Sequence, residues 1–229
     1  MRTRTHKLVA GHPQVGKTTW VRRRLSRTPR WLALDPEGDY DDLPGVTTCR
    51  AFAGGHGEPG PYVVDQVKRF AREEEVRLSL VTDRPADHLA AADALFKVMD
   101  LKPEARTVAL VVEEAWKLLE GQKLPPEFRR VYYSGNKRGV WAVTVTQDLA
   151  QVPKNVRRAS KERIFFRVLG GVPDDVAKQM TDEALEKMPT LEVLERDGPE
   201  AVKGTHFVTY PADLDPLEGW ERAIRGSGG

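Results

Sequence analysis

Gly11, Gly16, Lys17 and Thr18 stand in the order G-x-x-x-x-G-K-[ST] within the stretch LVAGHPQVGKTT. That spacing suits a triphosphate. Glycines let main-chain N–H groups close on phosphate oxygens, the lysine reaches the β/γ-phosphates, and the hydroxyl holds Mg2+. Gly11, His12, Pro13, Gln14, Val15, Gly16, Lys17, Thr18 and Thr19 are therefore the candidate nucleotide-binding residues. A match by accident is expected roughly once in a hundred chains of this length, so the surrounding elements must carry the rest. Two carboxylates, Glu113 and Glu114, end the apolar run TVALVV. One carboxylate on the Mg2+ side and another that orients or deprotonates the attacking water are what triphosphate hydrolysis requires. The same pair would also suit a plain helix start, where acids meet the helix dipole; the complete phosphate loop upstream favours the chemical reading. Gln147 closes VWAVTVT, where an amide beside a γ-phosphate can sense its presence.

These residues need a strand, a loop and a helix to hold them. HKLVA reads as a strand, GHPQVGKT as the loop and TTWVRRRLSR as the helix. Apolar runs of strand length recur at 6–10, 30–34, 46–52, 77–82, 107–112, 140–146 and 163–168. Segments with helical spacing fall between them, at 17–26, 61–75, 86–100, 113–120, 126–136, 155–160 and 173–180. The alternation predicts an α/β fold, a mostly parallel sheet flanked by helices. The stretch GGHGEPGP reads as a glycine- and proline-rich loop. Beyond residue 182 the pattern weakens, and KMPTLEVLERDG and GTHFVTYPADL suggest a short strand pair or an extended tail. The expected division is a core over 1–181, a carboxyl-terminal extension over 182–225 packed on or near it, and a flexible tail at 226–229.

The chain has 229 residues, 40% of them hydrophobic and 31% charged. No apolar run approaches the roughly 18 residues that span a bilayer. Cys49 is the only cysteine, which excludes an internal disulfide and a Cys-based zinc site and suits a reducing cytoplasm. The net charge of +2 conceals an asymmetry: residues 171–229 hold six Lys/Arg against thirteen Asp/Glu, leaving the remainder at +9. A basic body is compatible with a polyanionic partner and equally with an ordinary solvated surface.

Four stretches, in order, resemble the HerA–FtsK superfamily of P-loop DNA-pumping ATPases: GHPQVGKTT, LALDPEGDY, VALVVEEAWKLL, and GVWAVTVTQDLAQVPKNVRRAS followed by RIFFRV. The likeness spans roughly residues 6–170. DPEGDY matches the family's Asp-x-x-Gly-acid-Tyr signature, and TQ with a proline shortly before a helix matches its glutamine motif. The resemblance implies a RecA-like fold in a hexameric ring that hydrolyses ATP, with Mg2+, to drive double-stranded DNA through a central channel. It assigns Lys17 and Thr18 to phosphate and metal, Glu113 to the usual Asp position beside the metal, Glu114 to catalysis and Gln147 to sensing. Glu in place of Asp at 113 adds a methylene, which shifts the metal contact or routes it through water.

Where relatives often show Gly-Arg-Lys/His-x-Gly, this chain has Gly135-Asn136-Lys137-Arg138-Gly139. Arg138 is the first candidate for an arginine finger acting on a neighbouring subunit's ATP, with Arg129, Arg130, Arg157 and Arg158 as alternatives. Lys154, Arg157, Arg158, Arg129 and Arg130 are the candidate DNA contacts, neutralising phosphates without reading bases. A motor of this size most resembles the genome-packaging ATPases of tailless, internal-membrane viruses, which implies a capsid or membrane-vertex docking protein and a place in the host cytoplasm or at the virion vertex. A cellular HerA-like DNA translocase in repair or conjugation, a P-loop small-molecule kinase and a nucleotide-gated assembly protein are the competing readings.

Overall fold

The computed structural model describes residues 5–11, 13, 16–50, 61–72, 75–101, 107–118, 124–165 and 207–209. Among them are eight strands: β1 (Lys7–Ala10), β2 (Arg30–Leu34), β3 (Thr47–Arg50), β4 (Val76–Val81), β5 (Val108–Val112), β6 (Val140–Thr146), β7 (Glu162–Phe165) and β8 (Phe207–Thr209). They form one sheet in the order β3-β4-β2-β5-β6-β1-β7-β8. β1 to β7 run parallel, and β8 lies antiparallel against β7. The helices are α1 (Lys17–Leu25), α2 (Pro61–Phe70), α3 (Pro85–Leu101), α4 (Ala115–Leu118), α5 (Pro126–Ser134) and α6 (Lys154–Ala159), with a 3-10 turn over Gly135–Arg138.

β2, β5 and β6 are buried along their whole length, as parallel strands covered on both faces must be. Their side chains divide with period two. Leu8, Leu32, Leu34, Leu110 and Ala142 face one core, filled by Val63 and Val67 of α2, Ala91 to Met99 of α3, Phe128 and Val131 of α5, and Val156 of α6. Val9, Trp31, Ala33, Val111 and Val143 face the other, filled by Trp20, Val21 and Leu25 of α1. Each fully buried Leu or Val contributes about 1.5–3 kcal/mol, so the central strands are the most strongly held.

All seven expected strands are present among the described residues, with residues 51–52 and 166–168 of the expected ranges lying outside them. The helix expected over 61–75 stops at Phe70, and that over 126–136 tightens into the 3-10 turn after Ser134. The helix expected from 113 starts at Ala115, because Glu113 and Glu114 form the turn between strand and helix. Phe207–Thr209, within GTHFVTYPADL, forms a strand against β7, and KMPTLEVLERDG, the other half of the expected pair, lies outside the described residues. The helix expected over 173–180, the division near 181 and the tail at 226–229 lie outside the described residues. No helix among the described residues is long and apolar enough to cross a membrane.

Two buried histidines give the fold a defined acid limit. His6 Nδ1 accepts the Ala142 main-chain N–H at 2.9 Å and so ties the start of β1 to β6. Burial lowers its pKa from 6.5 to about 4. Burial does the same to His88 in α3, to about 4, against the opposing pull of Asp87. Between these values the unfolded chain binds more protons than the folded one, so stability is full above about pH 6.5 and falls as pH drops toward 4. Each histidine accounts for up to about 3 kcal/mol of that loss. Urea unfolding at pH 7 and pH 4.5 should show a clear fall in the midpoint, and His88→Gln should flatten the dependence.

Candidate active site

Because β6 lies between β1 and β5 in the sheet, the carboxyl ends of three parallel strands bring the predicted chemistry to one edge. The Gly11 N–H donates to the Thr146 carbonyl at 3.2 Å, joining the loop after β1 to the end of β6. The Glu113 N–H donates to the Leu34 carbonyl at 3.1 Å, joining the end of β5 to the end of β2.

On the β1 side, Gly16 holds φ 93, a left-handed conformation that strains any residue with a Cβ, and from it α1 begins. No side chain caps α1 and its first turn contains no acid, so its amino-terminal N–H groups and positive dipole end are suited to an anion. Lys17 is buried. Burial lowers its pKa, while the charges of Glu113, Glu114 and Asp39 raise it, which places this cation among three acids. Thr18 is half-buried, Thr19 and Pro13 are exposed, and His12, Gln14 and Val15 lie outside the described residues.

On the β5 side, Glu114 holds φ 46, the one non-glycine residue with positive φ among those described. Such a conformation costs on the order of 1–2 kcal/mol, and strain of this kind gathers at functional sites. The Gln147 amide, at the end of β6, donates to the Glu114 carboxylate and fixes its direction. Glu113 is buried, and its pKa is raised to about 8, chiefly by burial and then by Asp39 and Asp35, against the Tyr40 hydrogen bond. The Tyr40 hydroxyl donates to Glu113 Oε1, and the Glu114 N–H reaches Oε2 at 3.3 Å.

Tyr40 belongs to DPEGDY, whose side chains were given no role from the sequence. Asp35, fully buried, is the hub of that turn. Its Oδ1 accepts the N–H groups of Gly38 and Asp39, each at 2.9 Å, and its Oδ2 accepts Tyr40 N–H at 3.0 Å and Ser79 hydroxyl at 2.9 Å. Gly38, at φ 82, permits the reversal. Arg22 of α1 donates to the Asp39 carbonyl and, at 2.8 Å, to Asp42, so the turn is also tied to the helix that follows the phosphate loop. The legible signal was an acidic, glycine-containing turn directly after a buried strand.

No protein-family model and no curated protein matches this sequence. Solved structures match its shape. The genome packaging NTPase B204 from Sulfolobus turreted icosahedral virus 2, in complex with AMP, superposes with a TM-score of 0.62 at 12% identity, covering 94% of this chain and 100% of that one. VirB4 of Thermoanaerobacter pseudethanolicus gives 0.53 at 11%, covering 80% and 83%. The cytoplasmic domain of the Type VII Secretion ATPase EccC from Thermomonospora curvata gives 0.52 at 18%, covering 96% of this chain and 27% of that one. The fold is the RecA-like P-loop NTPase fold.

Within this fold, Arg138 lies away from the phosphate loop. The 3-10 turn precedes β6 and Gln147 follows it, so the length of the strand, about 20 Å, separates them. Arg138 is ion-paired with Asp100, and its guanidinium lies 5.2 Å from the Phe96 ring centroid. It sits at the opposite end of β6 from Gln147 and the Gly11 contact.

Among the candidate DNA contacts, Lys154, Arg158, Arg129 and Arg130 are exposed, with Arg130 donating to Asp93 at 3.1 Å. Arg157 is a correction. It is buried, donates to the Val152 carbonyl, and its own carbonyl accepts Arg163 Nη2 at 2.9 Å. Its guanidinium braces the segment between β6 and β7, which removes it from DNA contact and from the finger candidates. Among the described residues no group of three or more His, Cys, Asp or Glu is arranged to hold a metal.

Proposed function

We propose that this chain is an ATP-hydrolysing DNA translocase that packages double-stranded viral DNA. The observation that carries the reading is the strained Glu114, held by Gln147 at the same sheet edge as the buried Lys17. Support for the DNA-packaging part comes from the HerA–FtsK motifs and from the likeness to a genome packaging NTPase.

In this reading the α1 amino terminus and Lys17 would bind the phosphates of ATP, and Thr18 and Glu113 would hold Mg2+, with Glu113 Oε1 taken by the Tyr40 hydroxyl and Oε2 reached by the Glu114 N–H. When bound, the metal supplies charge neutralisation at the β- and γ-oxygens. Glu114 orients a water in line with the γ-phosphorus and takes its proton as the new P–O bond forms and the bond to the β-phosphate oxygen breaks, leaving ADP and phosphate. Gln147 swings between Glu114 and the γ-phosphate and reports which is present. Hexameric rings would align Lys154, Arg158, Arg129 and Arg130 with DNA phosphates, independent of sequence. A capsid or membrane-vertex protein would dock the motor, in the host cytoplasm or at the virion vertex.

Arg138, remote from its own nucleotide, would exchange Asp100 for the γ-phosphate of a neighbouring subunit. Mixing Arg138→Ala with Glu114→Gln chains should then restore part of the hydrolysis that each lacks alone, measured as phosphate release across mixing ratios. Absence of rescue removes Arg138 from the role.

The likeness to VirB4 and EccC favours a second reading, a cellular translocase of the HerA type. Steady ATP hydrolysis stimulated by duplex DNA, with no phosphorylated small product, supports a DNA motor over a small-molecule kinase. Hydrolysis indifferent to DNA overturns it.

A further inference from the structure

Three features stand together around Glu113. It is a buried acid whose Oε1 is taken by the hydroxyl of a fully buried tyrosine from a different strand end. That tyrosine is held at both ends: its main-chain N–H by Asp35, and its ring by Trp31, edge-on with centroids 6.2 Å apart. The turn bearing it is fixed by four hydrogen bonds to one carboxylate and is tied through Arg22 to α1. A tyrosine so constrained is a fixed post. The carboxylate that meets it must have the right reach, and an aspartate at 113 would withdraw the carboxylate by about 1.5 Å, the length of one carbon–carbon bond. Both partners would then be buried without each other, the costly condition for polar groups.

We propose that Tyr40 is a positioning residue matched to the length of Glu113, setting the direction in which that carboxylate faces the metal and the γ-phosphate. The inference rests on the ATPase reading above. Through the Asp35-centred turn, Tyr40 couples the end of β2 to the acid at the end of β5, so the geometry of the metal side is set from a strand that contributes no ligand. Oε2 of Glu113, reached by the Glu114 N–H at 3.3 Å, is the oxygen that Tyr40 does not hold, since the tyrosine hydroxyl takes Oε1.

Tyr40→Phe keeps the ring and its packing on Trp31, and Glu113→Asp keeps the charge. The probe is Mn2+ added to the full-length protein saturated with a nonhydrolysable ATP analogue, followed by electron paramagnetic resonance. Each variant should weaken Mn2+ binding about 10- to 100-fold, the usual consequence of losing a partner behind a metal ligand. The double variant should be no weaker than the worse single. Binding of the analogue without metal should be unchanged, and the Mg2+ concentration for half-maximal turnover should rise in step with kcat falling and KM for ATP holding. Tyr40→Phe with wild-type Mn2+ binding and kcat overturns the proposal, as do fully additive effects in the double variant. A wild-type chain that binds no ATP overturns the ATPase reading instead. The pairing is then judged by thermal unfolding of the four chains without nucleotide, where additive shifts in Tm overturn it and coupled shifts uphold it.

Discussion

Glu114→Gln is expected to lower ATP turnover at least about 10²-fold, the typical contribution of a positioned general base, while ATP still binds. The geometry makes this a clean substitution. A glutamine at 114 offers a carbonyl oxygen where the carboxylate now accepts the Gln147 amide, so the link across β6 can persist, and the strained backbone at φ 46 is no worse for Gln than for Glu. What disappears is the ability to take a proton from water. Single-turnover phosphate release, set beside equilibrium binding of a fluorescent ATP analogue, separates the two effects. Undiminished turnover would remove Glu114 from the role of base, and a wild-type chain that binds ATP but barely hydrolyses it would identify a protein that uses nucleotide to hold an assembly together.

Lys17→Ala should act one step earlier and abolish tight ATP binding. Lys17 sits buried among Glu113, Glu114 and Asp39. Its removal takes away the positive charge that these carboxyl groups face and that an incoming polyanion would meet. The lost charge-assisted contact is worth about 3 kcal/mol, which is roughly 10²-fold in Kd. Isothermal titration with ATP and Mg2+ reads this directly, and a retained micromolar affinity would count against the phosphate cradle.

Much of this site was legible in the sequence because its parts obey short-range rules. RWLAL, VALVV and VWAVTVT read as buried strands since both faces of each are apolar, and all three are buried throughout. The phosphate loop is a contiguous motif, and Lys17 does open a helix after a strand. Glu113, Glu114 and Gln147 declared themselves as polar residues that end apolar runs. What stayed hidden depends on distant partners. Asp35 looks like a turn acid, and only the arrival of Ser79 from β4 makes it a hub. Tyr40 matters because Glu113, 73 residues away in sequence, ends beneath it. Arg157 and Arg158 read alike, yet a six-residue helix is too short for periodicity to tell which turns inward; Val156 and Arg157 do, while Lys154 and Arg158 face solvent.

The placement of β6 between β1 and β5 also acts as a ruler. Neighbouring strands stand about 4.8 Å apart, so the strand that leads to the lysine and the strand that ends in the acids are held close to 10 Å from each other. That distance is filled by β6 itself, whose last residue is followed by Gln147. Sheet pitch, a property of any peptide backbone, thereby fixes how far apart the lysine-bearing loop and the acids can begin, with the glutamine between them.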